Sequence, residues 1–292
     1  MSFHSSPENI QTALGRLALV AGEGDLPIRV AKNATAQGWH VTAFCLSKQN
    51  QGALKQFSQG GILSISAGLV EQNLSLGKQH GITHVVFAGK VNKWILFTNP
   101  RLDKRAIDIL QALRRCNDDQ VMVQIIAYLA NEGYQILPQT QFLTELFHGS
   151  QYFTQARPTE TDWEDIQYGF EIAAEMGRLD VGQTVVIRNK MILAVEAIEG
   201  TDECIRRAGH WAKKKGGIVV KLAKPEQDNR FDVPTVGLRT LKRIHEAGLH
   251  GLATEANQTF YLDLPEMIRF ANQKKMVLLS LSREEAMKKN IL

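Results

Sequence analysis

Cysteine is scarce in this 292-residue sequence, and the spacing of the few cysteines argues against two kinds of site. Cys45, Cys116 and Cys204 lie far apart, with no Cys-x-x-Cys pair and no Cys/His cluster. This spacing argues against a disulfide framework and against a structural zinc site, and it fits a reducing cytoplasm. Cys45 lies in the apolar run VTAFCL, where we expect a buried thiol rather than a nucleophile.

Long apolar runs and a strong charge of one sign are also missing. No apolar stretch approaches the roughly 18 residues that a membrane-spanning helix needs, so we expect any membrane contact to be peripheral. The N-terminus lacks a basic segment followed by an apolar one, and we expect no signal peptide. The net charge of +4 suits an anionic substrate or a membrane surface, and it is far too small to indicate nucleic-acid binding.

Hydrophobic patterning predicts an α/β protein with two domains. In the first half, short apolar runs alternate with helical patterns, and RLALVA, GEGDLP and the helix after them form the opening of a Rossmann-like domain. The second half contains two predicted hairpins, with turns at Asn189-Lys190 and at Asn257. A cleft between the domains is the expected place for a ligand. The predicted parts are a Rossmann-like N-terminal domain (1–148), a linker (149–162) and a distinct mixed α/β C-terminal catalytic domain (163–292).

The turn after the first strand matches a dinucleotide-binding loop only in part. Gly22 and Gly24 would let the backbone approach an anion at the helix N-terminus. However, Pro27 occupies the third glycine position, and the second strand ends in Ser47-Lys48 rather than in an acid that could hold a ribose. A tight turn or a site for another anion is therefore favoured over NAD, and a nicotinamide-dependent oxidoreductase is a rival reading. Gly89-Lys90 ends another predicted strand without the Walker pattern, so it indicates either an anion-facing loop or a surface lysine.

Two charged runs in the second half carry the strongest functional indication. They are AVEAIEGTD (194–202) and KLAKPEQDNRFDVP (221–234), and each follows a predicted strand. Carboxylates hold hard cations and Lys or Arg neutralise phosphate oxygens, so the mixture suits a metal-bound phosphate. The alternative is a solvated surface with ordinary ion pairs, in which Asp202 only caps the next helix.

Those two runs resemble the LpxI family of UDP-2,3-diacylglucosamine diphosphatases. The similarity extends to AGEGDLP, FAGKVNK, NDD and LDVGQTVV, and thus over nearly the whole chain. It implies a Rossmann-like N-terminal domain, a distinct C-terminal domain, and an enzyme of lipid A biosynthesis. The implied reaction is hydrolysis of the pyrophosphate bond of UDP-2,3-diacylglucosamine to UMP and 2,3-diacylglucosamine 1-phosphate (lipid X), with Mg²⁺ or another divalent cation. One departure is Lys93, where the family pattern has arginine.

The resemblance also implies roles for individual residues. Asp228 is the first candidate for a catalytic or metal-binding carboxylate, and the choice between base and ligand is open. Further catalytic candidates are Asp232, Glu196 and Arg230. The candidate metal ligands are Asp228, Glu199 and Asp202. The candidate substrate-binding residues are Gly22, Gly24, Gly89, Lys90, Glu199, Gly200, Thr201, Lys221 and Lys224.

The partner implied by the resemblance is a lipid-linked UDP-sugar, and no nucleic acid is expected. The implied location is cytoplasmic, and a peripheral contact with the inner membrane and a homodimer are both left open. The rival to an enzyme is a non-catalytic UDP-sugar or lipid-binding module. Such a module would not need so many carboxylates near the phosphates.

Overall fold

The computed structural model describes residues 14–90, 101–111, 118–225 and 227–288. The chain divides into two compact units, one of Met1–Leu143 with Asp228–Phe231 and the other of Thr144–Gln227 with Asp232–Leu292. In the described part of the chain, no helix has both the length and the apolar character needed to cross a membrane.

The first unit is built on a five-stranded parallel sheet with the strand order β3-β2-β1-β4-β5. The central strand β1 is almost continuously apolar because parallel strands of this kind are covered on both faces. The strands are β1 (Arg16–Ala21), β2 (His40–Cys45), β3 (Ile62–Ser64), β4 (His84–Ala88) and β5 (Gln135–Leu137). The described helices are α1 (Leu26–Ala36), α2 (Gln51–Leu54), α3 (Val70–Gln79), α4 (Lys104–Gln111) and α5 (Asp118–Asn131).

The second unit contains a six-stranded mixed sheet with the order β6-β13-β11-β9-β7-β8, and a separate parallel pair β10-β12. Its strands are β6 (Gln151–Tyr152), β7 (Thr184–Arg188), β8 (Met191–Val195), β9 (Ile218–Lys221), β10 (Thr235–Gly237), β11 (Gly251–Glu255), β12 (Phe260–Leu262) and β13 (Val277–Leu281). Its helices are α6 (Glu160–Arg178), α7 (Thr201–Ala212), α8 (Leu238–Glu246), α9 (Leu264–Gln273) and α10 (Arg283–Met287).

Helices cover both faces of the six-stranded sheet, as the alternation of side chains along a strand requires. Val219 of β9 belongs to a core shared with α7, α8 and α9. Its neighbours Ile218 and Val220 belong to a second core, shared with α6 and α10. The second unit is therefore a three-layer structure with one helical layer on each side of the sheet.

The mixed α/β class, with a parallel sheet first and a mixed sheet second, is confirmed. The hairpin at Asn189-Lys190 is confirmed too, since β7 and β8 pair antiparallel through a turn in which both residues have positive φ. The buried carboxylate of Asp165 accepts the backbone N–H groups of Asn189 at 2.9 Å and Lys190 at 2.6 Å, so the turn forms without an Asn-Gly pair. Cys45 is buried as expected, and burial raises the pKa of its thiol.

The second predicted hairpin, with its turn at Asn257, is wrong. Asn257 does turn the chain with a positive φ of 58°, but β11 and β12 do not pair. β11 lies between β9 and β13, whereas β12 pairs with β10 in the separate sheet. A turn residue sets only the local reversal of the chain, and distant strands decided the pairing. Lys93 lies outside the described residues.

Candidate functional site

At one edge of the six-stranded sheet, formed by the ends of its strands, charged and polar side chains from several strands come together. Lys221 and Glu255 end the parallel neighbours β9 and β11, where Lys221 is in register with Thr254. Thr184 begins the antiparallel strand β7 opposite Lys221, and Glu196 directly follows β8. Ligands of open α/β sheets bind outside the carboxyl ends of the strands, so this edge is the candidate site.

Glu196, Thr201 and Lys221 form a buried polar chain at this edge. Lys221 Nζ donates to Thr201 Oγ1 at 2.7 Å, and Thr201 Oγ1 donates to Glu196 Oε1 at 2.9 Å. The Lys221 ammonium also lies 3.5 Å from Thr184 Oγ1 and 4.0 Å from Glu196 Oε2. The Lys221 and Glu196 side chains are only 5% and 10% exposed, so the charges face each other away from bulk water.

The other carboxylate oxygen of Glu196, Oε2, differs from Oε1 in its hydrogen bonding. Glu196 Oε2 is buried and has no hydrogen-bond partner among the described residues. A buried acceptor without a donor is unfavourable, so Oε2 is free to accept from a ligand hydroxyl or from water. Gly200 precedes α7 with φ 83° and no side-chain cap, which leaves the start of this helix beside Thr201 uncapped by a side chain. The arrangement can hold a polar, partly anionic ligand group.

The loop that follows β9 is fixed by side-chain hydrogen bonds at both of its ends. The Lys224 N–H donates to Gln227 Oε1 at 2.8 Å, and Gln227 Nε2 donates to Asp232 Oδ2 at 2.7 Å. Lys224 Nζ donates to Asp180 Oδ1 at 2.7 Å. Lys224 and Asp232 are therefore joined through Gln227, which the sequence analysis did not select.

An ion pair between the buried Glu255 and the exposed Arg283 anchors the start of the same loop. Glu255 Oε2 accepts the Ala223 N–H at 3.1 Å, and Arg283 Nη2 donates to the Ala223 carbonyl at 3.0 Å. Arg283 Nε also donates to Glu255 Oε1 at 2.6 Å. Neither charged residue is recognisable from the sequence, because Glu255 ends β11 and Arg283 follows β13, far along the chain from the loop that they hold.

Asp228 and Arg230 lie in the middle of the loop, in the segment that belongs to the first unit. Arg230 Nε donates to Asp228 Oδ1 at 2.9 Å and to Oδ2 at 3.0 Å. Arg230 Nη2 donates to Asp228 Oδ2 at 2.5 Å. Burial alone would raise the pKa of Asp228, but the hydrogen bonds and charge of Arg230 outweigh it and hold that pKa below its usual range. Asp228 is thus an ionised hydrogen-bond acceptor at neutral pH.

Glu199 and Asp202 are not part of the hydrogen-bonded set formed by Glu196, Thr201 and Lys221. Glu199 pairs with Arg207, while Asp202 accepts from Arg239 Nη2 at 2.6 Å on the exposed surface. β8 ends at Val195, so Glu196 and Glu199 both lie in the connection between β8 and α7, where no strand fixes their faces. The two glutamates therefore have separate partners.

The three candidate metal ligands do not form a preassembled cation site. Asp228, Glu199 and Asp202 are each paired with a different arginine. Across the described ranges, no group of three or more His, Cys, Asp or Glu side chains has the geometry to hold a metal ion. A carboxylate already neutralised by a guanidinium must exchange that partner before it can bind a cation, so these residues as arranged do not fit Mg²⁺.

In the first unit, Gly22, Gly89 and Lys90 bring two loops into contact at the ends of β1 and β4. The backbone of Glu23 pairs with that of Lys90, with N···O distances of 2.7 and 2.9 Å. A Cβ on Gly22 would lie 2.3 Å from the Lys90 carbonyl oxygen, and one on Gly89 would lie 2.6 Å from the Glu23 carbonyl oxygen. These two glycines are needed for loop packing.

Gly24 is different, because a Cβ there would meet nothing within 4 Å, although its φ is 88°. Its carbonyl oxygen accepts from Asn50 Nδ2 at 2.7 Å, and the same amide donates to the Gly22 carbonyl at 3.1 Å. Asn50 is buried and fixes the loop before α1, a role that cannot be recognised from its position in the sequence.

Comparisons with known proteins give the family. Residues 16–146 match the model of the LpxI N-terminal domain, and residues 149–279 match that of the LpxI C-terminal domain. A relative from Caulobacter vibrioides, UDP-2,3-diacylglucosamine pyrophosphatase LpxI, is 28% identical over 280 residues, which cover 92% of this chain and 99% of the relative. The two family models follow each other in the order of the chain and leave only its ends and a two-residue join unmatched. This chain belongs to the LpxI family.

Proposed function

We propose that this protein hydrolyses the pyrophosphate bond of UDP-2,3-diacylglucosamine, giving UMP and 2,3-diacylglucosamine 1-phosphate. The observation that carries the proposal is the similarity to a UDP-2,3-diacylglucosamine pyrophosphatase over 99% of that relative's length. The order β3-β2-β1-β4-β5 of the parallel sheet supports a Rossmann-like first unit as part of the proposal. The cytoplasmic location and the homodimer rest on the family resemblance alone.

In the proposed reaction, water attacks one phosphorus of the pyrophosphate, the bridging P–O bond breaks, and the leaving phosphate takes the negative charge. The proton that the water loses passes to solvent. Asp228 accepts a hydrogen bond from this water and orients it. Its low pKa suits this role better than that of a strong base, since general bases work best with a pKa near the operating pH. Arg230 holds the carboxylate in one orientation.

Lys221 and Glu196 are proposed to bind the substrate at the sheet edge. The ammonium of Lys221 would neutralise a phosphate oxygen, and Thr201 fixes that ammonium through a 2.7 Å hydrogen bond. Glu196 Oε2, which is buried and lacks a donor among the described residues, would accept from a sugar hydroxyl. Lys224 and Asp232 hold the loop through Gln227, and this contact supports a positioning role for them.

A requirement for Mg²⁺ or another divalent cation is a separate part of the proposal. Such an ion would supply charge neutralisation at the phosphoryl oxygens. Mg²⁺ in phosphate-processing sites is often held by one or two carboxylates together with substrate oxygens. Asp228, Glu199 and Asp202 would each have to release an arginine before binding the ion, and the steps above do not depend on it.

The test is to incubate the pure protein with UDP-2,3-diacylglucosamine, in added Mg²⁺ and in excess EDTA, and to measure UMP. Asp228→Asn should lower the rate at least about a hundredfold. Asp108→Asn, at an exposed position of α4, is the matched control and should leave the rate unchanged. Arg230→Lys keeps the charge but removes the planar fork, and we expect a lower kcat from it.

The outcomes separate the parts of the proposal. Absence of UMP under every metal condition, with the UDP-sugar still bound, would leave a binding module as the function. UMP release that persists in excess EDTA would remove the metal requirement and leave the hydrolysis standing. A loss below about tenfold for Asp228→Asn would remove Asp228 from its assigned role.

A further inference from the structure

The two helical layers of the second unit carry opposite charge. The layer of α7, α8 and α9 with the lysines that follow its helices (residues 201–215, 238–246 and 264–275) contains eleven Lys and Arg and four Asp and Glu. The layer of α6 and α10 with the lysine that follows α10 (residues 160–178 and 283–288), on the other face of the sheet, contains three Lys and Arg and eight Asp and Glu. The chain as a whole carries only +4, so the small net charge conceals a strongly basic face.

Three exposed lysines of this face are not neutralised by ion pairs with the acidic side chains of the described residues. Arg206 pairs with Glu203, and Arg243 pairs with Glu246 within the same helix. Lys213, Lys214 and Lys215 follow α7 in succession and are all exposed. Within the described part of the chain, none of these three lysines has an acidic side chain at ion-pair distance.

The basic residues of α7 and α8 form one continuous surface because the two helices approach closely. A Cβ on Gly209 would lie 2.7 Å from the Ala247 side chain, and one on Gly248 would lie 2.5 Å from Lys214 Cα. The three lysines therefore lie beside the end of α8. A surface depression of about 440 Å³ along α8 is lined by Leu238, Arg239, Lys242, Arg243 and Glu246.

Trp211, two residues before Lys213, is 65% exposed. An indole so exposed leaves apolar area in water, and it suits the boundary between headgroups and acyl chains, where indole rings concentrate. Lysines on the polar side of such a helix attract anionic headgroups, each contributing to binding while it stays near the surface.

We propose that the α7–α8 face, defined by Trp211, Lys213–Lys215 and the basic side chains of α8, docks the protein on an anionic lipid surface. The acidic layer of α6 and α10 then faces away from the membrane, so charge alone orients the second unit. The surface follows from charge and exposure, and it goes beyond the proposed hydrolysis by giving the chain a way to reach a membrane-held substrate. A nucleic acid is the other polyanion that a basic surface attracts, but three successive exposed lysines beside an exposed indole favour the lipid.

The test is sedimentation of the full chain with vesicles of phosphatidylcholine containing or lacking about a third of phosphatidylglycerol. Binding should need the anionic lipid and should fall steeply between low and high salt, because salt screens exposed charges. The triple variant Lys213→Glu, Lys214→Glu, Lys215→Glu should bind at least about tenfold more weakly. Its matched control reverses Lys32, Lys48 and Lys55, three exposed lysines of the first unit, and should bind like the wild type.

A second pair of variants tests the indole separately from charge. Trp211→Ala should weaken vesicle binding and abolish the blue shift of fluorescence that lipid induces. Met191→Ala, at a side chain of similar exposure (63% against 65%), should change neither. Both triple variants should release UMP from detergent-dispersed substrate at the wild-type rate, so a failure of docking is distinguishable from a failure of hydrolysis.

Three results would overturn the proposal. The first is no sedimentation of the wild type with anionic vesicles at low salt. The second is an equal loss in the two triple variants, which would show that net charge matters and the face does not. The third is tighter binding to transfer RNA than to vesicles in competition, which would make this face a nucleic-acid surface.

Discussion

Lys221→Met tests how much the buried ion pair of Lys221 and Glu196 contributes to the free energy of unfolding. The substitution keeps a long side chain but leaves Glu196 as a buried carboxylate without its cation. At the observed 4.0 Å, two unit charges at an effective dielectric constant near 20 interact by about 4 kcal/mol. Removing one partner of a buried pair generally costs about 3–5 kcal/mol. We therefore expect Lys221→Met to lower the free energy of unfolding by about 3–5 kcal/mol.

Adding Glu196→Gln to Lys221→Met should recover part of this loss, because the second change removes the uncompensated charge. In a double-mutant cycle, the sum of the two single losses should exceed the loss in the double variant by about 2 kcal/mol. The assay is urea unfolding followed by far-ultraviolet circular dichroism. UMP release, measured on the folded variants, should fall at least about a hundredfold for Lys221→Met if its ammonium faces a phosphate.

The matched control is the exposed pair Asp202–Arg239, whose N···O distance of 2.6 Å is shorter than that of the buried pair. Its side chains are 41% and 76% exposed, so Asp202→Asn should cost only about 0–1 kcal/mol. Strictly additive losses for Lys221 and Glu196, or a Lys221→Met loss as small as that of the control, would refute the argument that burial makes this pair strong.

Three further predictions concern folding of the two units. Burial alone would raise the pKa of Asp162, but the hydrogen bonds that its carboxylate accepts from His250 and Thr159 outweigh burial and lower that pKa. The ionised carboxylate therefore stabilises the fold above the ordinary Asp range, and this stabilisation is lost as pH falls through the folded-state pKa. The difference in unfolding free energy between wild type and Asp162→Asn should therefore shrink in acid, and a difference that grows in acid would contradict this sign. Gly22→Ala should lower the melting temperature, because the added Cβ would lie 2.3 Å from the Lys90 carbonyl oxygen. Gly52→Ala on α2 adds a Cβ that meets nothing within 4 Å, so it should not lower the melting temperature, and equal shifts would contradict the packing role of Gly22. Asp165→Ala should cost about 1–3 kcal/mol in urea unfolding, and no loss would show that water satisfies the turn amides equally well.

Most of the individual elements could be predicted from the sequence because they depend on local patterns. β1 begins and ends where the apolar run RLALVA does. The N-cap of α6 shows the limit of local reasoning. We would place the cap at Thr161 or Asp162 from the sequence, but Thr159 is the cap and Asp162 completes its capping box. A cap at either place would accept from first-turn amides, so the local pattern does not distinguish positions two or three residues apart. The contact of Asp162 with His250 is not visible in the sequence.

Some residues of the candidate site could likewise be recognised from the sequence, and others only from their tertiary contacts. Sequence reasoning selected Glu196, Thr201 and Lys221, because charged residues after a predicted strand are easily recognised. It missed Thr184 and Gln227, which are uncharged and become relevant only through contacts with Lys221 and Asp232. It also grouped Glu199 with Glu196, and arginines elsewhere on the chain decided otherwise.

The sequence by itself determined the mixed α/β class, the first hairpin and the membership of the LpxI family, because periodicity and motif spacing are properties of the chain alone. The tertiary structure alone decided that β12 pairs with β10, that three carboxylates are taken by three arginines, and that one face of the second unit is basic. The pairing of β12 with β10 and the Asp202–Arg239 ion pair bring together residues that are distant in sequence. Glu199 and Asp228 pair with arginines only eight and two residues away, but the side-chain geometry of those pairs is set by the fold. Pairing energies at short range are set by the folded geometry, which no local pattern encodes.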